Sequence, residues 1–567
     1  MGMHLRHLRG VLAAAAALVI AGLLAAPTPL VAQPINPIAT GRAGMVATAT
    51  PLATEIGLEI LQQGGNAIDA AVAAAFALGV AEPNASGLGG GGFILIRFAR
   101  TGEAVYIDYR EVAPGAARPD MYLDSEGRVR PGSTTVGHLA VGVPGTLAGL
   151  HMALTRYGTM TLKQVMAPSI SLAERGYTVT KTLSGIMQDN LDKLNRFPAA
   201  AAIYTKRGLP YDPGSRLVLS DLAATYRLIA SAGPTAFYEG EIADAIVAEM
   251  RRGGGIITKA DLAGYRPKMR VPVRSTYRGH EIISSPPPSS GGTHVIQALN
   301  ILEGYDMGSL GFQTPAALHL TIEALKRSFA DRGRYMADPD FVPVPVAGLI
   351  SKDYAAVLRR TIDMNRASPS VAPGNPEPFG KSANTSHISV VDREGNMVAL
   401  TQTINYFFGS GVMVPGTGII LNNEMDDFVP FPGSANSVQP GKRPLSSMAP
   451  TLVLREGRPF MTVGSPGATR IISALALIIM NMVDYKMDIQ SAIEAPRIHA
   501  MTRDVFVEGR IPPDVRAALT AMGHPLLIRG PMDLYFGGAQ GITIAPNGVL
   551  FGGADPRRDG FAKGFWF

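Results

Sequence analysis

Asn384-Thr385-Ser386-His387-Ile388-Ser389-Val390-Val391-Asp392 leads through Arg393-Glu394-Gly395 into Met397–Asn405. Thr385–Asp392 alternates as a strand does, and Met397–Asn405 alternates again. The three residues between them read as a turn with Gly395 in the left-handed position, so the two runs predict a β-hairpin. That loop length sets Thr385 opposite Thr403 and His387 opposite Thr401, a pairing that a one-residue slip would break. Ser368–Lys381, rich in Pro, Gly and Ser, reads as a surface loop ahead of the hairpin. A threonine hydroxyl is a poor nucleophile without a base. An N-terminal threonine carries its own, because an α-amine titrates near ~7.7–8.0. Thr385 reaches that state only if the chain is cut before it, and a loop followed by Thr at the head of a strand is compatible with such a cut. A plain strand threonine is the ordinary alternative.

Outward from the hairpin, Leu52–Gln63 has helical spacing and Gly64-Gly65-Asn66 stops it. Asp69–Ala81 is apolar all round and predicts a buried helix. Gly87-Leu88-Gly89-Gly90-Gly91-Gly92 formally matches G-x-G-x-x-G. A dinucleotide loop needs a strand before it and a helix after it. Here a helix precedes and the strand Phe93–Phe98 comes after, which leaves a packing turn or a loop whose backbone approaches a ligand. Val105–Tyr109 reads as another strand, with Arg110 just past its end, where binding residues often sit. Pro286–Gly292 reads as a rigid turn before a helix around His294–Leu302. Asn422-Asn423-Glu424-Met425-Asp426-Asp427 is an acidic loop, either a solvated turn or a cation site. Arg443–Met448 sets two serines near an arginine. Gly464–Thr469 looks like a turn into a helix near Arg470, where backbone N–H groups can bind an anion or oxyanion. For each of these last two stretches ordinary turn chemistry remains open.

The chain has 567 residues, 46% of them hydrophobic and 17% charged, with a net charge of +6 and no cysteine. It is long enough for a sizeable core. This composition excludes a charged disordered chain, disulfides, a cysteine nucleophile and thiolate metal sites. The small net charge without a dense basic block gives no sign of a nucleic-acid partner. The histidines form no H-E-x-x-H, so no metal site is expected, and there is no G-x-S-x-G elbow. Residues 1–32 read as a secretory signal: His4, Arg6, His7 and Arg9, an apolar run from Val11 to Ala26, then Pro27, Pro29 and Ala32. The expectation is export with no membrane attachment after leader cleavage, hence a periplasmic or secreted protein.

The motifs taken together resemble the gamma-glutamyltranspeptidase family of N-terminal-nucleophile hydrolases. Gly64–Ala71, Ser86–Phe93, Asp108–Glu111, Pro286–Gly292, Thr385–Asp392, Asn422–Phe428, Arg443–Met448 and Gly464–Ile471 carry the resemblance, in the family's order. It implies an α+β fold, a four-layer αββα sandwich. It also implies one precursor that cuts itself between Asn384 and Thr385 into a large subunit (33–384) and a small subunit (385–567), which stay together as a heterodimer. Thr385 would be the nucleophile of both cutting and turnover, with Thr403 bonding near its hydroxyl. The backbone N–H groups of Gly467 and Ala468 would form the oxyanion hole. Arg110, Ser446 and Ser447 would hold the substrate α-carboxylate, and Glu424 and Asp427, assisted by Asn405, the α-ammonium. The implied substrates are glutathione and other γ-glutamyl compounds, with transfer to water or an amine and no cofactor.

Four features depart from the family pattern. Ala468 stands where a second Gly is common, and Ser386 where Thr is. Tyr406 and Phe407 are larger than usual, which predicts a reshaped pocket. The stretch from Phe428 to Lys442 is short, which predicts a missing lid, an open site and room for larger donors. There are two rivals: a glutaryl or cephalosporin acylase of the same superfamily, and a non-catalytic γ-glutamyl-peptide binding protein. An acylase would not need the ammonium clamp; a binding protein would not need Thr385 and Thr403.

Overall fold

The computed structural model describes residues 34–372 and 385–567. The leader, most of the Ser368–Lys381 loop and Asn384 lie outside the described residues. Asn36–Phe567 forms one compact unit.

The hairpin is present with the expected register. Its strands run Thr385–Val391 and Met397–Thr403, with Thr385 paired to Thr403 and His387 to Thr401. Gly395 has φ +85° in the turn. Two seven-stranded sheets are built around it. In chain order the strands are β1 (Ala39–Gly41), β2 (Gly44–Thr48), β3 (Gly91–Arg97), β4 (Ala104–Asp108), β5 (Lys268–Arg270), β6 (Val273–Tyr277) and β7 (His280–Ser284). They continue with β8 (Thr385–Val391), β9 (Met397–Thr403), β10 (Thr451–Arg455), β11 (Arg458–Gly464), β12 (Gln540–Ile544), β13 (Leu550–Ala554) and β14 (Phe561–Phe565). One sheet has the order β14-β2-β8-β9-β3-β4-β5 and the other β1-β13-β12-β11-β10-β7-β6. Every pairing in both is antiparallel.

Alternation along the hairpin sorts its side chains into two cores. Ile388, Val390, Val398 and Leu400 join the cluster formed by α1 (Pro51–Gln62) and α2 (Ala67–Ala81). Val391, Met397 and Ala399 join a second cluster, which contains the facing sheet together with α3 (Gly291–Leu302), α4 (Pro315–Tyr335) and α5 (Arg470–Val483). The result is a helix–sheet–sheet–helix sandwich, the αββα order expected. Both hairpin strands are buried on both faces, so period-two alternation here separates two interiors rather than core from water.

Local chemistry explains the element ends. Asn66 caps α2 in a reciprocal box with Asp69. Asp69 also accepts from the Thr159 N–H and hydroxyl, which ties the helix start to a distant turn. The glycine run proves to be a packing turn. A Cβ at Gly90 would sit 1.9 Å from the Thr403 carbonyl oxygen, and one at Gly89 1.9 Å from that of Ile420. Only glycine lets this backbone lie against the end of β9.

Candidate active site

Asp108 ends β4 and holds the turn after it. Its carboxylate accepts from the Arg110 N–H at 3.0 Å and pairs with Arg270 (2.6 Å) and Arg443 (3.2 Å). This network joins the strand carrying Arg110 to the segment carrying Ser446 and Ser447. Arg110 itself is buried. Its Nη1 donates to Glu424, its Nη2 to Asp427 (2.6 Å) and the Leu445 carbonyl (2.9 Å), and its Nε to the Pro444 carbonyl (3.2 Å). Burial alone would lower its pKa, but the charges of Glu424, Asp427 and Glu111 outweigh this and raise it.

The acidic loop is not a solvated turn. Glu424–Asp427 is a short 3₁₀ turn and Glu424 is fully buried. The Asn422 side chain holds it by accepting from the Gly142 and Glu424 N–H groups at 2.9 Å and donating to the Gly89 and Gly142 carbonyls. Burial pushes the Glu424 carboxyl well above its ordinary range, with Arg110 opposing and Glu111 adding to the rise. Burial likewise raises Asp427, and brings Glu111 to about 7. Three crowded carboxyls therefore surround one guanidinium.

A cavity of about 260 Å³ joins this cluster to the head of β8. Thr385, Thr403, Arg110, Glu424 and Asp427 line it, as do Ser446, Ser447 and Ala468. The Ser446 hydroxyl oxygen accepts from the Met448 N–H at 3.1 Å, and the Ser447 oxygen from Nη2 of Arg332 at 3.0 Å. With a lone pair of each thus occupied, both hydroxyl protons are available to an acceptor in the cavity. Gly467 (φ +131°) and Ala468 (φ +55°) turn the chain into α5, and among the described residues no acceptor is bonded to either N–H. Gly467 does not itself line the cavity. Neither does Asn405, a buried residue at φ +72°. Its N–H donates to the Thr403 hydroxyl oxygen at 2.8 Å and its Nδ2 to the Asn423 carbonyl, while its Oδ1 is buried without a partner.

Two expectations change here. The short Phe428–Lys442 stretch does not leave the site bare: Phe428, Val429, Pro430, Phe431 and Asn436 form part of the cavity wall. Asn436 pins that wall by donating to the Asp427 carbonyl (2.7 Å) and accepting from the Leu445 N–H (3.2 Å). Tyr406 and Phe407 do not enter the cavity. The Tyr406 hydroxyl donates to Asp426 at 2.5 Å, and the Phe407 ring lies 5.5 Å from the Arg558 guanidinium. Sequence reasoning missed Arg332, which comes from the last turn of α4; only the folded chain brings it to this wall.

Elsewhere, His319, Glu323 and His524 cluster closely enough to suggest metal ligands. Glu323, however, is taken by Lys326 (3.2 Å), Arg327 (2.7 Å) and Ser368 (2.6 Å). Two cations beside the only carboxylate oppose a metal ion. Among the described residues no helix is long and apolar enough to cross a membrane.

Comparison with known proteins agrees with this architecture. The Gamma-glutamyltranspeptidase family model matches residues 53–565. The glutathione hydrolase proenzyme of Pseudomonas sp. (strain A14) is 44% identical over 544 residues, which cover 92% of this chain and 94% of that protein. The acylase ACY 1 proenzyme of Pseudomonas sp. (strain SE83) is 48% identical over 528 residues, covering 92% and 93%. Among solved structures, a cephalosporin acylase from Bacillus halodurans superposes with a TM-score of 0.86 at 32% identity, covering 95% of this chain and 99% of that one. Matched along nearly all of its length in sequence and in fold, the chain is a member of the gamma-glutamyltranspeptidase family.

Proposed function

We propose that the chain is a precursor that cuts itself between Asn384 and Thr385, and that the mature heterodimer moves γ-glutamyl groups from glutathione and related γ-glutamyl amides to water or an amine. The large subunit is 33–384, after export and loss of the leader, and the small subunit is 385–567. The observation that carries this reading is one cavity holding both a strand-head threonine and groups of opposite charge suited to an amino-acid end. Relatives named glutathione hydrolase proenzyme support it.

In this reading the Thr385 oxygen attacks the γ-carbonyl carbon and its proton passes to the Thr385 α-amine. The oxyanion takes the N–H groups of Gly467 and Ala468, a contribution of ~10²–10³ in rate for a donor of this kind. The C–N bond breaks, the leaving amine receives the proton, and a γ-glutamyl ester remains on Thr385. Water or an amine then adds to the ester carbonyl, the C–O bond breaks, and the Thr385 hydroxyl is restored. Thr403 steadies the nucleophile. The α-carboxylate lies on Arg110, Ser446 and Ser447 and the α-ammonium on Glu424, Asp427 and the Asn405 Oδ1. The ligand's two charges replace the internal Arg110–carboxylate pairing, so no charge is left unbalanced.

Intact mass under denaturing conditions, read beside γ-glutamyl-anilide hydrolysis, tests the proposal. Wild type gives two fragments starting at Gln33 and Thr385 and releases the anilide. Thr385→Ala gives one uncut chain and no turnover; turnover by that variant would overturn the mechanism. The acylase reading draws on the 48% identity to an acylase proenzyme.

A further inference from the structure

Successive side chains of a strand point to opposite faces. Thr385 lines the donor cavity, so Ser386, the next residue of β8, faces away from it. There its hydroxyl donates to the Glu82 carboxylate, and Glu82 lines a second cavity, of about 520 Å³. Arg558 lines that cavity too, and its Nη1 donates to the Thr385 carbonyl at 3.3 Å. Both residues are buried. The strand head therefore has a cation on the residue that bears the α-amine after cutting, and an acid on the residue beside it. Burial lowers the Arg558 pKa, with Glu82 and Asp555 opposing, and a guanidinium stays a cation throughout the neutral range. Burial raises Glu82 to about 7, with Arg558 and the Ser386 bond opposing and Asp559 adding to the rise. Asp559 is taken by the Thr180 (2.6 Å) and Thr182 (2.8 Å) hydroxyls, and Arg175 and Arg216 line the same cavity. Arg470 lies within reach of the Arg558 charge. On its other side Thr385 shares the donor cavity with Arg110, Arg332, Glu424, Asp426 and Asp427.

We propose that Arg558 and Glu82 are positioning residues that set the basicity of the Thr385 α-amine from the side opposite the donor. The proposal rests on the self-cleaved Thr385 of the proposed function. The amine can take the hydroxyl proton only when it is itself unprotonated. A cation beside it disfavours its protonation, and an anion favours it. Arg558 therefore keeps the amine available as a base near neutral pH, and ionised Glu82 offsets part of that effect. Glu82 lines a cavity large enough for water, so it exchanges its proton without using the donor site. Neither residue forms or breaks a bond. The proton still passes from the Thr385 hydroxyl to the amine and on to the leaving group.

The test is the pH dependence of kcat/KM for γ-glutamyl-p-nitroanilide on self-cleaved protein, for wild type, Glu82→Gln, Arg558→Gln and Arg558→Lys. The acid limb reports the essential base of the free enzyme. Glu82→Gln, which keeps an acceptor for Ser386, is expected to move that limb down by about half a pH unit or more, and Arg558→Gln to move it up by about as much. Arg558→Lys keeps the charge and brings the limb back towards its wild-type position. Limbs that stay in place while kcat or stability falls would mean merely structural residues and overturn the proposal, as would shifts of the same sign in both Gln variants. Wild type that fails to turn over the donor overturns the proposed function instead. Should the variants stay uncut, wild type decides: an acid limb below that of an ordinary α-amine, ~7.7–8.0, supports the proposal, and one at or above it overturns it.

Discussion

Ala468 shows how one methyl group bears on the site. It sits at φ +55°, in the left-handed region where a Cβ crowds the following carbonyl at a cost of about 1–2 kcal/mol. Glycine avoids that cost and returns part of it as unfolded-state entropy. Ala468→Gly is therefore expected to stabilise the protein by about 1 kcal/mol, read as a raised melting temperature in the Thr385→Ala precursor. An unchanged or lower melting temperature would show that the turn is not strained. At this scale much of the site was legible, because charged groups and hydroxyls announce themselves by type: Arg110, Glu424, Asp427, Ser446 and Ser447 all reach the cavity. Arg332 did not, since an arginine in the last turn of a helix reads as a solvated cation until the fold buries it.

At the scale of elements, the hairpin and the glycine turn act together. Gly90 lies so close to the Thr403 carbonyl that Gly90→Ala must push the end of β9 away, which moves Thr403 from its place opposite Thr385. The expected outcome is a precursor that stays uncut by denaturing mass analysis, in a protein that still shows the wild-type circular dichroism. The strand head has a second support. The Ser386 hydroxyl donates to Glu82, just after α2, and Arg558 donates to the Thr385 carbonyl at 3.3 Å. Burial raises Glu82 from 4.5 to about 7, with the Arg558 charge opposing the rise. Between those two pH values the folded state holds a proton that the unfolded state releases, so stability falls as pH rises through the window, by roughly 3 kcal/mol at most. Glu82→Gln should flatten that decline in melting temperatures measured from about pH 4.5 to 7.5; an identical slope in the variant would exclude Glu82 as its source. The hairpin register was readable because its two alternating runs and left-handed glycine were contiguous. The role of the glycine run was not, since the segments it packs against lie some three hundred residues on.

Across the whole molecule, the proposed subunits do not form two separate bodies. In one sheet the order β14-β2-β8-β9-β3-β4-β5 places β2 between two strands from beyond Thr385, and β8 and β9 between strands from before it. Both apolar cores draw residues from each side of that point. A single peptide cut leaves every ladder hydrogen bond intact. The fragments are therefore expected to elute together in native size-exclusion chromatography and to part only under denaturant; separate elution of natively folded fragments would contradict the interleaved sheet.

By itself the sequence determined what is local and what is chemical: the hairpin with Thr385 at its head, the buried helix over Asp69–Ala81, the punctuation by glycine and proline, and the charged and hydroxyl groups able to meet an amino-acid end. These arise from side-chain period, turn stereochemistry and donor and acceptor type, each of which acts over a few residues. Tertiary structure alone decided which of those groups face one another, that Arg110 is shared among three acids, that the short Phe428–Lys442 stretch walls the cavity, and that Arg332 stands buried beside Ser447 in the cavity wall. Burial and charge pairing depend on chain segments far apart in sequence, so the electrostatics of this site come into being only when the two sheets close on each other.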